Sequence, residues 1–103
     1  MPTRCNIVIK TAKGNIYLYR HMDGYPECTG NQVKAVCRYA RKHGLTFEWV
    51  KDYLLSLKRQ PDFKGVVRNL YEKTDSIHGD IDWLYTISEK LNVRTKHINF
   101  DFE

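Results

Sequence analysis

The chain has 103 residues, 42% of them apolar and 28% charged. That length is short for two domains, its 13 aromatic residues argue against wholesale disorder, and no apolar run approaches the ~18 residues of a membrane span. The formal net charge is +5, but residues 1–68 carry 13 basic and 5 acidic side chains while residues 69–103 carry 4 and 7. A basic N-terminal two-thirds points to an anionic partner such as phosphate, nucleotide or nucleic acid, or to mild basicity that serves only solubility.

Thr3 to Thr11 alternates, with Cys5, Ile7 and Ile9 on one face, and predicts a half-buried strand. Ala12 to Asn15 predicts a turn, and Asn15 to His21 alternates again with Ile16 and Leu18 opposite Tyr17, Tyr19 and His21. Together they predict an antiparallel hairpin. Met22 to Gly30 reads as a loop. Asn31 is a candidate N-cap, followed by Val33, Val36, Cys37 and Ala40 on one helical face and Gly44 as a stop. Thr46 can cap a second helix carrying Phe47, Val50, Leu54 and Leu57, which ends before Pro61.

Residues 61–70 show no periodicity and fit a loop, a helical turn or a strand. Tyr71 to Asp75 predicts a strand, Ser76 to Gly79 a turn, and Asp80 to Ser88 a strand with Ile81, Trp83, Tyr85 and Ile87 on one face. After a turn at Leu91 and Asn92, Val93 to Phe102 alternates with Ile98, Phe100 and Phe102 on one face. The order β-β-α-α-β-β-β predicts a single α+β domain spanning 1–103: an antiparallel sheet of about five strands with two helices packed on one face. Edge strands in so small a domain make a homo-oligomer an expectation as well.

The densest chemistry is Tyr19-Arg20-His21 followed by Asp23 and Tyr25. It places a cation, an imidazole, a carboxylate and two phenols where a strand enters a loop held by a hairpin. The same residues also make ordinary turn chemistry, with Asp23 capping and Arg20 paired to a carboxylate. A second group, His78, Asp80 and Asp82, could join His21 and Asp23 in a metal site if the two hairpins meet; a bound Mn²⁺, Mg²⁺ or Zn²⁺ would then support phosphodiester hydrolysis. The spacing is not that of a dedicated metal motif. Lys34, Arg38 and Arg41, with Lys42 beside them, form a cationic stripe on the first helix that could track phosphates or simply be a solvated face. The tyrosines with Trp49 and Trp83 serve as core, interface or base-stacking groups.

The N-terminal Thr3-Arg4-Cys5-Asn6-Ile7-Val8-Ile9-Lys10, then Ile16 to His21, Asp23-Gly24-Tyr25-Pro26 and the later Asp75 to Tyr85 resemble an uncharacterised family of small phage and mobile-element proteins. The resemblance covers about half the chain and carries no catalytic residues with it. It implies an intracellular accessory protein, and by class analogy one that inhibits or sequesters a ligand of host defence.

The chain lacks the GxSxG sequence of a serine nucleophile and the P-loop that cradles phosphate, and no cofactor is expected. The start of the chain carries no apolar leader, and three cysteines, Cys5, Cys28 and Cys37, without a CxxC pair fit reduced thiols in a cytoplasm. The leading expectation is a non-catalytic binding module for an anionic small molecule or nucleic acid. Its ligand-binding residues would be Tyr19, Arg20, His21, Asp23, Tyr25, Lys34 and Arg38. The alternatives are a protein-binding inhibitor of a host protein and a metal-dependent phosphodiesterase using His21, Asp23, His78 and Asp80. Neither alternative nor the leading reading requires a membrane.

Overall fold

A computed structural model describes residues 3–98. It contains strands β1 (Cys5–Thr11) and β2 (Gly14–Arg20), a π-helical turn (Pro26–Gly30), helices α1 (Asn31–Lys42) and α2 (Phe47–Ser56), and strands β3 (Glu72–Thr74), β4 (Trp83–Ile87) and β5 (Val93–His97). The expected α+β class holds, and the helices cover one face of a five-stranded sheet in the order β3-β2-β1-β4-β5. Phe100 and Phe102, expected to extend the last strand, lie outside the described residues.

The alternating positions land as the pattern requires. Cys5, Ile7, Ile9, Leu18, Tyr85 and Ile87 point from the sheet into a core closed by Val33, Val36, Cys37 and Ala40 of α1 and Val50 and Leu54 of α2. Each fully buried Ile or Leu contributes about 1.5–3 kcal/mol, which makes this shared face the main stabilising element. Gly44 ends α1 with φ +67°. Leu45 N–H donates to Ala40 O at 2.8 Å and Gly44 N–H to Arg41 O at 3.4 Å, the paired bonds of a left-handed C-terminal cap.

Two local expectations change. Asn31 is the first residue of α1, not its cap; the preceding π-helical turn runs straight into the helix, and Asn31 Nδ2 donates back to Glu27 O at 3.0 Å. Thr46 does hold the N-cap position of α2 in extended conformation, but its hydroxyl makes no capping hydrogen bond.

The sheet is mostly antiparallel, with one parallel pair, β1 with β4. β3 and β4 therefore run the same way with two strands between them, and the link between them must cross both. It does so over the face opposite the helices, where His78 stacks on Tyr19 at 4.0 Å between ring centroids and its N–H donates to Asn6 Oδ1 at 2.8 Å. Asn6 Nδ2 donates to Leu18 O at 2.8 Å, so this buried amide is satisfied at both ends. β1 is consequently buried on both faces.

The segment after β2 is fastened to the sheet at several points. Gly24 N–H donates to Thr3 O at 2.9 Å, Tyr85 Oη donates to Gly24 O at 2.6 Å, and Thr29 Oγ1 donates to Asp23 O at 2.8 Å. A Cβ at Gly24 would sit 2.8 Å from Cys5 Cβ and 2.9 Å from Cys5 N, closer than atoms pack. Gly24→Ala is expected to lower stability by about 1–3 kcal/mol through overpacking. A chemical denaturation curve checks this, and an unchanged midpoint would contradict the close approach.

Candidate functional site

The residues after α2 settle the stretch that has no periodicity. Leu70 N–H donates to Leu57 O at 2.9 Å, Arg59 N–H to Arg68 O at 2.8 Å and Asp62 N–H to Val66 O at 3.1 Å. These bonds fold residues 57–70 into a narrow hairpin arm. Asp62 shapes its tip: Oδ1 accepts from Lys64 N–H at 2.8 Å and Val66 N–H at 2.9 Å. The Val66 and Lys64 amides, with the Arg68 guanidinium nearby, hold the Asp62 carboxyl below its ordinary value.

Where the arm's base meets the end of β2, a groove of about 360 Å³ opens, a size that suits a small ligand. Its cations are Arg20, Lys58 and Arg59 and its carboxylates Asp23 and Glu72, with His21, Gln60 and Asn69 supplying further polar groups. Lys58 and Arg59 are exposed. Lys58 Nζ is bonded to Asn69 Oδ1, and Arg59 Nη2 lies 3.6 Å from Met22 Sδ.

Arg20 has a different character. It alternates with Ile16 and Leu18, so it points to the helix side of the sheet, away from Tyr19 and His21, and is only 8% exposed. Its Nε donates to Met22 O at 2.7 Å, and its Nη1 to Tyr71 Oη at 3.2 Å and Gln32 Oε1 at 3.5 Å. Nη2 lies 3.8 Å from Cys28 Sγ and 3.9 Å from the Asp23 carboxylate. Tyr71 Oη in turn donates to Gln32 Oε1, and the guanidinium sits 5.4 Å from the centre of the Tyr71 ring. A buried cation with this many acceptors is held in place, and its donors are largely spent on the protein itself.

His21 after β2 and His78 do meet on the outer face, although His78 sits in the β3–β4 crossover and not in the expected hairpin. Arg4 stands between them: its Nε donates to His21 Nδ1 at 3.3 Å and lies 3.4 Å from Asp80 Oδ2. Tyr19 Oη is 3.1 Å from the same His21 nitrogen, and His78 Nδ1 is 4.0 Å from Asp80 Oδ1. Burial, reinforced by Asp80, raises the Tyr19 phenol above its usual value. Asp23 is not in this cluster, since its carboxylate reaches toward Arg20. Among the described residues no three His, Cys, Asp or Glu side chains converge as metal ligands.

The expected ligand-binding residues divide between several places. Tyr19, Arg20, His21 and Asp23 line the groove. Tyr19 is buried under His78, so its ring is already stacked. Tyr25 opens the π-helical turn and does not line the groove. Lys34 and Arg38 are exposed on α1 and are not among the groove residues either. Further along α1, Arg41 donates to Leu91 O at 2.5 Å and so ties the helix to the β4–β5 turn. Lys58, Arg59, Gln60 and Asn69 did not stand out in the sequence. The adjacent cations before Gln60 and Pro61 were the available signal, obscured by the missing periodicity around them.

A second exposed feature is a row of aromatic rings. Trp49 stacks with Tyr39 at 5.5 Å and with Tyr53 at 5.2 Å, and these rings with Ala35 and Val36 line an apolar recess of about 300 Å³ between α1 and α2. Compared with protein-family models, curated proteins and solved structures, the chain matches none.

Arg20→Ala would strand Tyr71, Gln32 and Met22 O and is expected to destabilise the fold by about 2–3 kcal/mol, in the range for hydrogen bonds to a charged group. Denaturant unfolding measures this, and a variant as stable as the parent would show that the network is idle. Alkaline conditions test the core beneath it. Burial pushes the Cys5 thiol from 9.0 up to about 12 and the Cys37 thiol up to about 11, so both are protonated at neutral pH. Because the folded values lie above the unfolded ones, their contribution is complete below about pH 9 and declines as pH rises through the folded values. Stability should fall between about pH 9 and 12, with both thiols resisting alkylation until unfolding; a flat profile across that window would contradict the burial.

Proposed function

We propose that the protein is a small non-catalytic binding module for an anionic ligand of the nucleotide class, held in the groove between the end of β2 and the base of the arm. One observation carries the reading: two exposed cations, Lys58 and Arg59, stand beside the amides of Gln60 and Asn69 and the imidazole of His21 on a single groove. Cations meet phosphate by charge-assisted hydrogen bonds, and amides offer both donors and acceptors to the edge of a base. Within the groove Arg20 and Asp23 offset each other, leaving Lys58 and Arg59 against Glu72. Arg20 acts as a positioning residue that fixes the end of β2 and the Met22 carbonyl at the groove wall.

Sequestering a nucleotide needs no reacting group. In the groove the Tyr19 hydroxyl and the His21 imidazole are already engaged with each other at 3.1 Å. The resemblance of the hairpin to small phage and mobile-element proteins supports an accessory role in the cytoplasm of a host, where a ligand of defence would be withheld. Three free cysteines, two of them buried, fit that reducing compartment. Among the described residues no helix is long and apolar enough to cross a membrane. A second reading, docking on a host protein, draws on the aromatic row of Tyr39, Trp49 and Tyr53, since such rings are enriched at interfaces.

A thermal-shift panel of mono-, di- and cyclic nucleotides on the purified chain tests the leading reading. Ligand at about 100-fold above Kd should stabilise by about 2.7 kcal/mol, seen as a rise of several degrees in Tm. Lys58→Ala and Arg59→Ala should each weaken binding about tenfold, the loss of one charge-assisted contact. Lys34→Ala and Arg38→Ala should not. A flat panel would overturn the groove reading and leave the aromatic row as the surface to pursue.

A further inference from the structure

The arm that forms one wall of the groove continues well beyond it. Residues 58–69 are exposed throughout, and they carry Lys58, Arg59, Lys64 and Arg68 against the single carboxylate of Asp62. At the tip Phe63 is 94% exposed, the most exposed large apolar side chain among the described residues, and Lys64 Nζ lies 5.7 Å from its ring centre. A Phe ring in water on a hairpin tip costs solubility and stabilises no core, so the fold itself gives no reason for it. The tip is nonetheless built to hold a shape, because the Asp62 carboxylate binds two backbone amides of the turn and lies 3.9 Å from Arg68.

We propose that the arm binds single-stranded nucleic acid, with a base stacked on Phe63 and the backbone phosphates running along its cations to the groove. This rests on the groove reading and names the polymer form of the same ligand class. An aromatic face flanked by cations is the combination that single strands use, since every base has a π-face and every linkage a charge. From Lys58 to Phe63 the arm spans about 16 Å at ~3.3 Å per residue, so one strand can touch both the groove and the tip. The chemistry at the base favours nucleic acid over an anionic lipid surface. Gln60 and the amide nitrogen of Asn69, whose oxygen holds Lys58, offer hydrogen bonds to unpaired base edges, which a lipid headgroup does not carry. A duplex would hide both those edges and the base faces, whereas a single strand leaves them open.

Fluorescence anisotropy with labelled oligo-dT and oligo-U, beside calorimetry with the matching mononucleotides, tests the proposal on the intact chain. Phe63→Ala should weaken oligonucleotide binding about tenfold while leaving mononucleotide affinity unchanged, and because Phe63 is in solvent the variant should keep the parent's Tm. Log affinity for the oligonucleotide should fall with log salt at a slope of about −2 to −3, as three or four phosphate contacts require. Tighter binding of oligo-U than of oligo-dT would identify RNA as the strand, and the reverse DNA; either supports the proposal. Equal oligonucleotide binding by parent and Phe63→Ala would overturn it while leaving the groove reading intact. Phe63-dependent oligonucleotide binding with no mononucleotide binding would support the arm and overturn the groove reading instead. Phe63-dependent binding to vesicles of phosphatidylcholine and phosphatidylserine, without oligonucleotide binding, would overturn the arm's assignment in favour of a membrane surface.

Discussion

A guanidinium buried at the end of a strand organises this molecule. Arg20 belongs by alternation to the core face of β2, and the core has no room for a charge without partners. Its donors are met by Met22 O, Tyr71 Oη and Gln32 Oε1, with Asp23 close by. Those partners come from the loop after β2, the residue before β3 and the first turn of α1. One side chain therefore brings together segments that are far apart in the chain. With the loop also fastened through Gly24, Tyr85 and Thr29, the end of β2 becomes a rigid wall against which the arm can form a groove.

That arrangement separates two kinds of charge. Arg20 is fixed and saturated, while Lys58 and Arg59 are exposed and stand on the arm. The proposed site uses both, with fixed groups setting its shape and exposed donors meeting the ligand. The outer-face cluster of Arg4, Tyr19, His21, His78 and Asp80 follows the same logic with a structural result. It pins the β3–β4 link over β1 and β2, with the Arg4 Nε shared between His21 and Asp80.

The sequence carries much of the fold because alternation and helical spacing report which face of an element is apolar. Cys5, Ile7 and Ile9, and Val33, Val36, Cys37 and Ala40, all lie in the core that their spacing implies. Alternation does not report which strand lies beside which, so the parallel pairing of β1 with β4 was not legible. Nor were the ends of the side chains. Tyr19, Arg20 and His21 are adjacent in sequence, but a strand's pleat sends Arg20 to one side of the sheet and the other two to the opposite side. The arm was the least legible element. Its shape depends on Asp62 binding the amides of Lys64 and Val66 and on pairing between Arg59 and Arg68 and between Leu57 and Leu70, none of which leaves a periodic trace.

In the proposed mode of binding, ligand meets the junction of β2 and the arm and not the cationic stripe of α1. Backbone amide resonances of the isotopically labelled chain, followed while a mononucleotide is added, test it residue by residue. The amides of residues 20–23, 57–60 and 69–72 should shift together and saturate at one Kd, while those of 34–42 stay still. Saturable shifts centred on Lys34, Arg38 and Lys42, with the groove amides unmoved, would contradict it.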